Sequence, residues 1–171
     1  SAPISAFGAD HAGGPGALTL TRQDYATPLG VMPTETQIVD GMADVLGWDA
    51  AFAEEIHHIN EHSIELALVW LQYILEGRSV PIVPILCGSY QEFIVGAADP
   101  ETDESIDLAI RFLKEATEGR RTLIVAAADL AHVGPAFGDP LPLDGVTRSK
   151  LAVDDSASLA VVCEGDAAEF F

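Results

Sequence analysis

Hydrophobic and polar positions alternate along this chain with two different periods, and the changes of period mark out strands and helices. Residues from Pro3 to Ala9 read as a short strand that runs straight into Asp10-His11-Ala12-Gly13-Gly14-Pro15-Gly16, where glycine and proline forbid regular structure. Residues 17–31 mix β-branched, aromatic and turn types, which predicts a hairpin or an irregular loop. Pro33-Thr34-Glu35 opens a helical pattern through Ile38, Met42 and Val45 to Gly47, and a shorter helix follows from Ala50 to His57. From Glu61 to Glu76 apolar residues fall on nearly every face, which predicts a helix packed on more than one side.

Val80 to Gly88 is an apolar run of the kind found in a strand covered on both faces, although Pro81 and Pro84 point to an edge or a strand start. Thr102 or Asp103 caps a helix whose apolar stripe is Ile106, Ala109, Ile110, Leu113 and Ala116, and Gly119 stops it. Thr122 to Ala128 reads as a second buried strand, and a last helix rich in small residues runs from Val146 toward Val162. Strands alternating with helices predict an α/β fold, a mostly parallel central sheet flanked by helices. In such sheets ligands gather beyond the carboxyl ends of the strands, where His11 and His132 both fall.

Composition narrows the class. A chain of 171 residues, 49% hydrophobic and 20% charged, predicts one soluble globular domain spanning residues 1–171. Its start at Ser1 and its end at Phe171, inside helix-like sequence, predict a chain cut at both ends from something longer. With 27 acidic and 8 basic residues the formal charge is −19, which repels phosphate backbones and anionic lipid, so neither nucleic acid nor a membrane is an expected partner. The two cysteines, Cys87 and Cys163, form no CxxC pair, and no signal peptide or long apolar span is legible, so a reduced, cytoplasmic protein is expected.

Two histidines at strand ends suit metal ligation or proton transfer, because neutral imidazole binds transition metals and titrates near neutrality. A loop histidine held by backbone is the alternative for each. Asp129, three residues before His132, either orients it or caps the next turn. His58 and His62 stand four apart, the spacing of a zinc pair on one helix, but Asn60 and a helix start at Glu61 interrupt that continuity. Gly13-Gly14-Pro15-Gly16 lacks the Lys-Ser/Thr of a phosphate loop, and no G-x-S-x-G elbow occurs.

Four stretches, taken in order, resemble the Memo family, known in bacterial and archaeal genomes as AmmeMemoRadiSam system protein B. They are Phe7-Gly8-Ala9-Asp10-His11, Tyr25-Ala26-Thr27-Pro28-Leu29, Glu61-His62-Ser63-Ile64-Glu65-Leu66 with the later Ile82-Val83-Pro84-Ile85-Leu86-Cys87-Gly88, and Ala128-Asp129-Leu130-Ala131-His132-Val133-Gly134. That family is similar to class III extradiol dioxygenases, which hold a non-haem iron with two histidines and a carboxylate. The resemblance implies His11 as a metal ligand, His132 as the acid/base histidine, beside which Asp129 stands as the candidate orienting group, and Glu61 and His62 as lining of the same cleft. Iron, copper or zinc would be the cofactor. It further implies a small-molecule or peptide ligand in the cleft and association with radical-SAM and AMMECR-type proteins. A redox-active metalloprotein, a non-catalytic peptide-binding module and a ring-cleaving dioxygenase are the functions it leaves open; the last needs two ligands that these residues lack.

Overall fold

The computed structural model describes residues 3–170, and its chain divides into two compact units, one ending at Ala128 and one running from Asp129. The expectation of cut ends drawn from Ser1 and Phe171 concerns residues outside that range. The first unit contains β1 (Ile4–Ala9), β2 (Leu18–Leu20), β3 (Tyr25–Thr27), β4 (Gly30–Met32), α1 (Thr36–Leu46), α2 (Trp48–Phe52), α3 (His57–Asn60), α4 (Ser63–Ile74), β5 (Ile82–Cys87), α5 (Gln91–Ile94), α6 (Glu104–Ala116) and β6 (Leu123–Ala127). The second contains α7 (Gly145–Glu164) and α8 (Ala167–Phe170). The order β2-β5-β1-β6 has β5, β1 and β6 parallel and only β2 antiparallel, while β3 and β4 form a separate hairpin. This is the mixed, mostly parallel α/β architecture the sequence predicts.

Period-two alternation sorts the strand side chains onto two cores. Val83 and Ile85 of β5 face Ile38, Val39 and Met42 of α1 and Ala109 and Leu113 of α6. Ile82 and Leu86, from the alternate positions, join Ile4 and Ala6 of β1 and pack on Ile64 and Leu68 of α4. The helix α6 starts where the sequence places it: the Asp103 side chain accepts the Ile106 N–H at 2.9 Å, a cap typically worth ~1 kcal/mol.

Three expectations are corrected. β5 is an interior strand, not an edge, despite Pro84. Residues of odd number in β5 turn their backbone to β1, as the Pro81 and Cys87 carbonyls show, so Pro84 turns toward the β2 side. There its missing N–H falls between the Thr34–Ile82 bridge and the Leu20–Ile85 start of the β2 ladder, outside the paired residues of either. α4 begins at Ser63 rather than Glu61 and buries one side only: Ile64, Leu68 and Gln72 are enclosed, while Leu66, Trp70, Tyr73 and Ile74 are exposed among the described residues. β6, expected to be buried, is the outer strand of the sheet among the described residues, with the Leu123 and Ile124 side chains 48% and 68% exposed.

Two glycines allow close approach where the strands end. A Cβ on Gly8 would lie 2.4 Å from Ser63 Oγ and 2.6 Å from Ile64 Cγ1, and one on Gly88 would lie 2.0 Å from the Gly14 carbonyl oxygen. Gly8 thus lets α4 sit on β1, and Gly88 lets the loop after β1 lie flat against the end of β5. Within the second unit, Asp144 caps α7 by accepting the Thr147 N–H at 2.7 Å, and no residue of α7 is buried. Among the described residues no helix is long and apolar enough to cross a membrane.

Candidate functional site

β1 lies between β5 and β6 and delivers Asp10 and His11 at its carboxyl end, where the chain leaves the sheet. The Asp10 N–H still bonds the Cys87 carbonyl at 2.8 Å, so the ladder continues one residue past the strand and fixes the Asp10 backbone. Its carboxylate points inward and is only 4% exposed, an arrangement that is costly unless both oxygens are satisfied. Oδ1 accepts the Ala12 N–H at 3.1 Å, and Oδ2 accepts the Nδ1–H of His57 at 3.0 Å. Gly13 makes room for this: a Cβ there would stand 2.5 Å from Asp10 Oδ2.

His57 opens α3, and Glu54 precedes it in the turn after α2. Glu54 Oε2 accepts the Gly14 N–H at 3.1 Å, tying that turn to the glycine loop. Asp10, Glu54 and His57 each offer one ligand atom within 4.8 Å of the others. The imidazolium form of His57 is favoured above its ordinary range, first by the hydrogen bond to Asp10 and further by the charges of Asp10, Glu54 and Glu61, with burial opposing. The neighbouring His58 faces the other way. Its Nε2–H donates to the Thr19 carbonyl at 3.1 Å, so its Nδ1 accepts the Tyr25 hydroxyl at 2.6 Å. Burial pushes His58 below its ordinary pKa, which keeps it neutral and fixes that tautomer.

Above the triad, Glu61 grips His11 twice, accepting its backbone N–H at 2.9 Å through Oε1 and its Nδ1–H at 3.0 Å through Oε2. His11 is exposed and borders a cleft of about 630 Å³ at the carboxyl ends of β1, β5 and β6. Its walls are mostly apolar, from Phe7, Ile94 and residues 126–128, with Asp10, Ser89 and the hydrogen-bonded pair Cys87 and Tyr90 as the polar groups. Burial raises the Cys87 thiol, so it enters the cleft as a neutral thiol rather than a thiolate.

The residues singled out in the sequence are distributed as follows. His11 and Glu61 are brought together as a pair. Glu61 has extended backbone at the end of α3 and reaches the cleft through His11, while the exposed His62 stands at the start of α4 and does not line the cleft. His58 and His62 lie on either side of that extended residue, and His58 is committed to Tyr25 and Thr19, so they do not form a pair. In the second unit His132 Nε2 pairs with Asp129 Oδ2 at 3.0 Å, and its ring packs on Phe137 at 4.7 Å between centroids. Both partners of that pair are substantially exposed.

Sequence reasoning missed Glu54 and His57. The residues lie 44 and 47 positions from Asp10, in a stretch that reads only as a short helix, and nothing in their spacing links them to a strand end. The one available signal was the Asp10-His11-Ala12-Gly13-Gly14 turn itself, an acidic residue leaving a buried strand into a glycine loop.

The whole described range matches one family model, "Memo-like protein", over residues 3–171. MEMO1 family proteins show the same relationship: that of Methanosarcina acetivorans is 30% identical over 126 residues, covering 74% of this chain and 42% of its own length. That of Methanosarcina mazei is 32% identical over 127 residues, covering 74% and 42%, and that of Pyrococcus horikoshii 31% over 135 residues, covering 77% and 43%. The matched region thus spans less than half the length of these curated relatives. With the family model covering nearly all of its residues, the chain belongs to the Memo family.

Proposed function

We propose that the protein binds a single transition-metal ion at Asp10, Glu54 and His57, beside a cleft that takes a small, mainly apolar ligand. The observation that carries this reading is the buried Asp10 carboxylate facing His57 and Glu54, with ligand atoms within 4.8 Å of each other. Two donors ~2.1 Å from a common ion and at right angles to one another are about 3 Å apart, the separation of His57 Nδ1 and Asp10 Oδ2. The residues therefore fit an ion with small inward adjustments. Two carboxylates already surround one imidazole, so a cation also relieves their mutual repulsion.

The donor set has two carboxylates and one imidazole. That favours iron(II) or zinc over copper(I), and it departs from the two-histidine, one-carboxylate triad of non-haem iron oxygenases. A bound ion would supply Lewis acidity or redox chemistry at the cleft edge. His11, oriented by Glu61, would give or take a proton from a ligand there, and the apolar walls would hold the body of that ligand. The same walls suit a second reading, a non-catalytic cleft for an apolar peptide side chain.

Calorimetric titration with ferrous, zinc and cupric ions separates the two readings. One-to-one binding that weakens in Glu54→Gln supports the metal site. Since a metal takes only unprotonated imidazole nitrogen, that binding also weakens as the pH falls through the raised His57 value. Absence of any stoichiometric site, with the fold intact, leaves the peptide-binding reading.

A further inference from the structure

A second hollow lies at the opposite end of the strands from the cleft. It is a groove of about 490 Å³ between the last turns of α4 and the starts of β1 and β6, within the ~300–1,000 Å³ typical of ligand sites. Ile4, Leu71, Ile74, Leu75 and Leu123 supply apolar walls. Two polar groups break that surface, both at the start of β6. Thr122 Oγ1 is buried and has no hydrogen-bond partner among the described residues, an arrangement that costs ~1–3 kcal/mol unless a ligand satisfies it. Arg121 beside it is exposed and makes no hydrogen bond or ion pair with the described residues.

Charge singles this groove out. The cleft carries Asp10, and the hollow beside Tyr25 carries Asp24, Glu55 and Glu65, whereas the groove carries no carboxylate. In a chain with 27 acidic and 8 basic residues, a guanidinium lining an apolar hollow is the exception. A second one lies close by, since Arg78 Nε donates to the carbonyl of Leu75 in the groove wall at 3.1 Å. That bond also occupies an end carbonyl of α4, where the helix dipole would otherwise repel an anion.

We propose that this groove binds an amphipathic monocarboxylate of the medium-chain fatty-acid type, its alkyl chain along Leu71, Leu75 and Ile4 and its carboxylate on the Arg121 guanidinium and the Thr122 hydroxyl. The unpaired hydroxyl donates to one carboxylate oxygen and the guanidinium to the other, so the head group satisfies the orphan donor and neutralises the cation together. The proposal is independent of the metal site.

The test is calorimetric titration of the 171-residue protein with hexanoate, octanoate, decanoate and decanol, beside Arg121→Gln and Thr122→Val. One site is expected, with affinity rising about fourfold for each added methylene. Arg121→Gln should weaken decanoate tenfold or more. Thr122→Val should weaken it while leaving thermal stability equal or higher, since the lost hydroxyl had no partner. That combination separates a ligand contact from a structural one. Absence of binding by any carboxylate overturns the proposal and leaves the groove to a polypeptide. Decanol binding as tightly as decanoate, or Arg121→Gln binding unchanged, overturns it equally.

Discussion

Replacing Tyr25 with Phe probes how the fold holds the site, because it removes one atom and leaves packing otherwise intact. The Tyr25 hydroxyl donates to His58 Nδ1 at 2.6 Å, and the two residues are 8% and 9% exposed. His58 Nε2–H remains bonded to Thr19, so the imidazole cannot switch tautomer without breaking that bond as well. The variant therefore strands a buried acceptor, at a cost of ~1–3 kcal/mol. His58 is in the same turn of α3 as His57, so the variant also loosens the element that aims His57 at Asp10. Urea unfolding at pH 8 should show a midpoint lowered by that amount with an unchanged slope, and metal affinity should fall with it. A loss below about 0.5 kcal/mol, within the range of ordinary surface substitutions, would refute the claim that this hydrogen bond anchors α3.

Further outcomes follow from the same geometry. His58 has a depressed pKa in the fold, so the folded protein binds fewer protons than the unfolded chain; its contribution to stability is complete above the ordinary value of 6.5 and is lost as the pH falls from there through the folded value, which a urea series between pH 8 and 5 measures. Gly8→Ala drives a methyl to 2.4 Å from Ser63 Oγ and 2.6 Å from Ile64 Cγ1, where α4 packs directly on β1, and should cost ~1–3 kcal/mol; the double variant with Ile64→Ala should be more stable than the sum of the single losses predicts, and strict additivity in denaturant unfolding contradicts the contact. Gly13→Ala should push the Asp10 carboxylate from its position and weaken metal binding more than it lowers the unfolding midpoint, a difference read by parallel calorimetry and thermal melts.

Much of the fold was legible because its elements satisfy local rules. Asp103, the stripe from Ile106 to Ala116 and the glycine at 119 mark α6 without tertiary information, and β1 ends where Asp10 and the glycines begin. What failed were statements about neighbours. Pro84 looked like an edge residue because sequence cannot show that it falls between two partners on the same side of the strand, Thr34 at Ile82 and β2 from Ile85 on. The apolar runs of α4 and β6 predicted burial on all sides, whereas Trp70 and Ile124 are 67% and 68% exposed among the described residues.

The site divides the same way. His11 and Glu61 were legible as chemistry-bearing residues, and the structure joins them, but no spacing predicts a hydrogen bond across 50 positions. His57 and Glu54 belong to a turn whose sequence carries no metal motif. They become candidates only when the glycine loop after β1 folds back and the Gly14 N–H takes hold of Glu54.

The central claim is that the ligands of the ion are Asp10, Glu54 and His57, with His11 outside that set. Metal content by mass spectrometry, on untagged protein purified without chelators, tests it when wild type is compared with His57→Ala and His11→Ala. The account predicts about one transition-metal ion per chain in wild type and His11→Ala, and its loss in His57→Ala. A metal-free wild-type protein, or an ion lost with His11 and retained without His57, would contradict it.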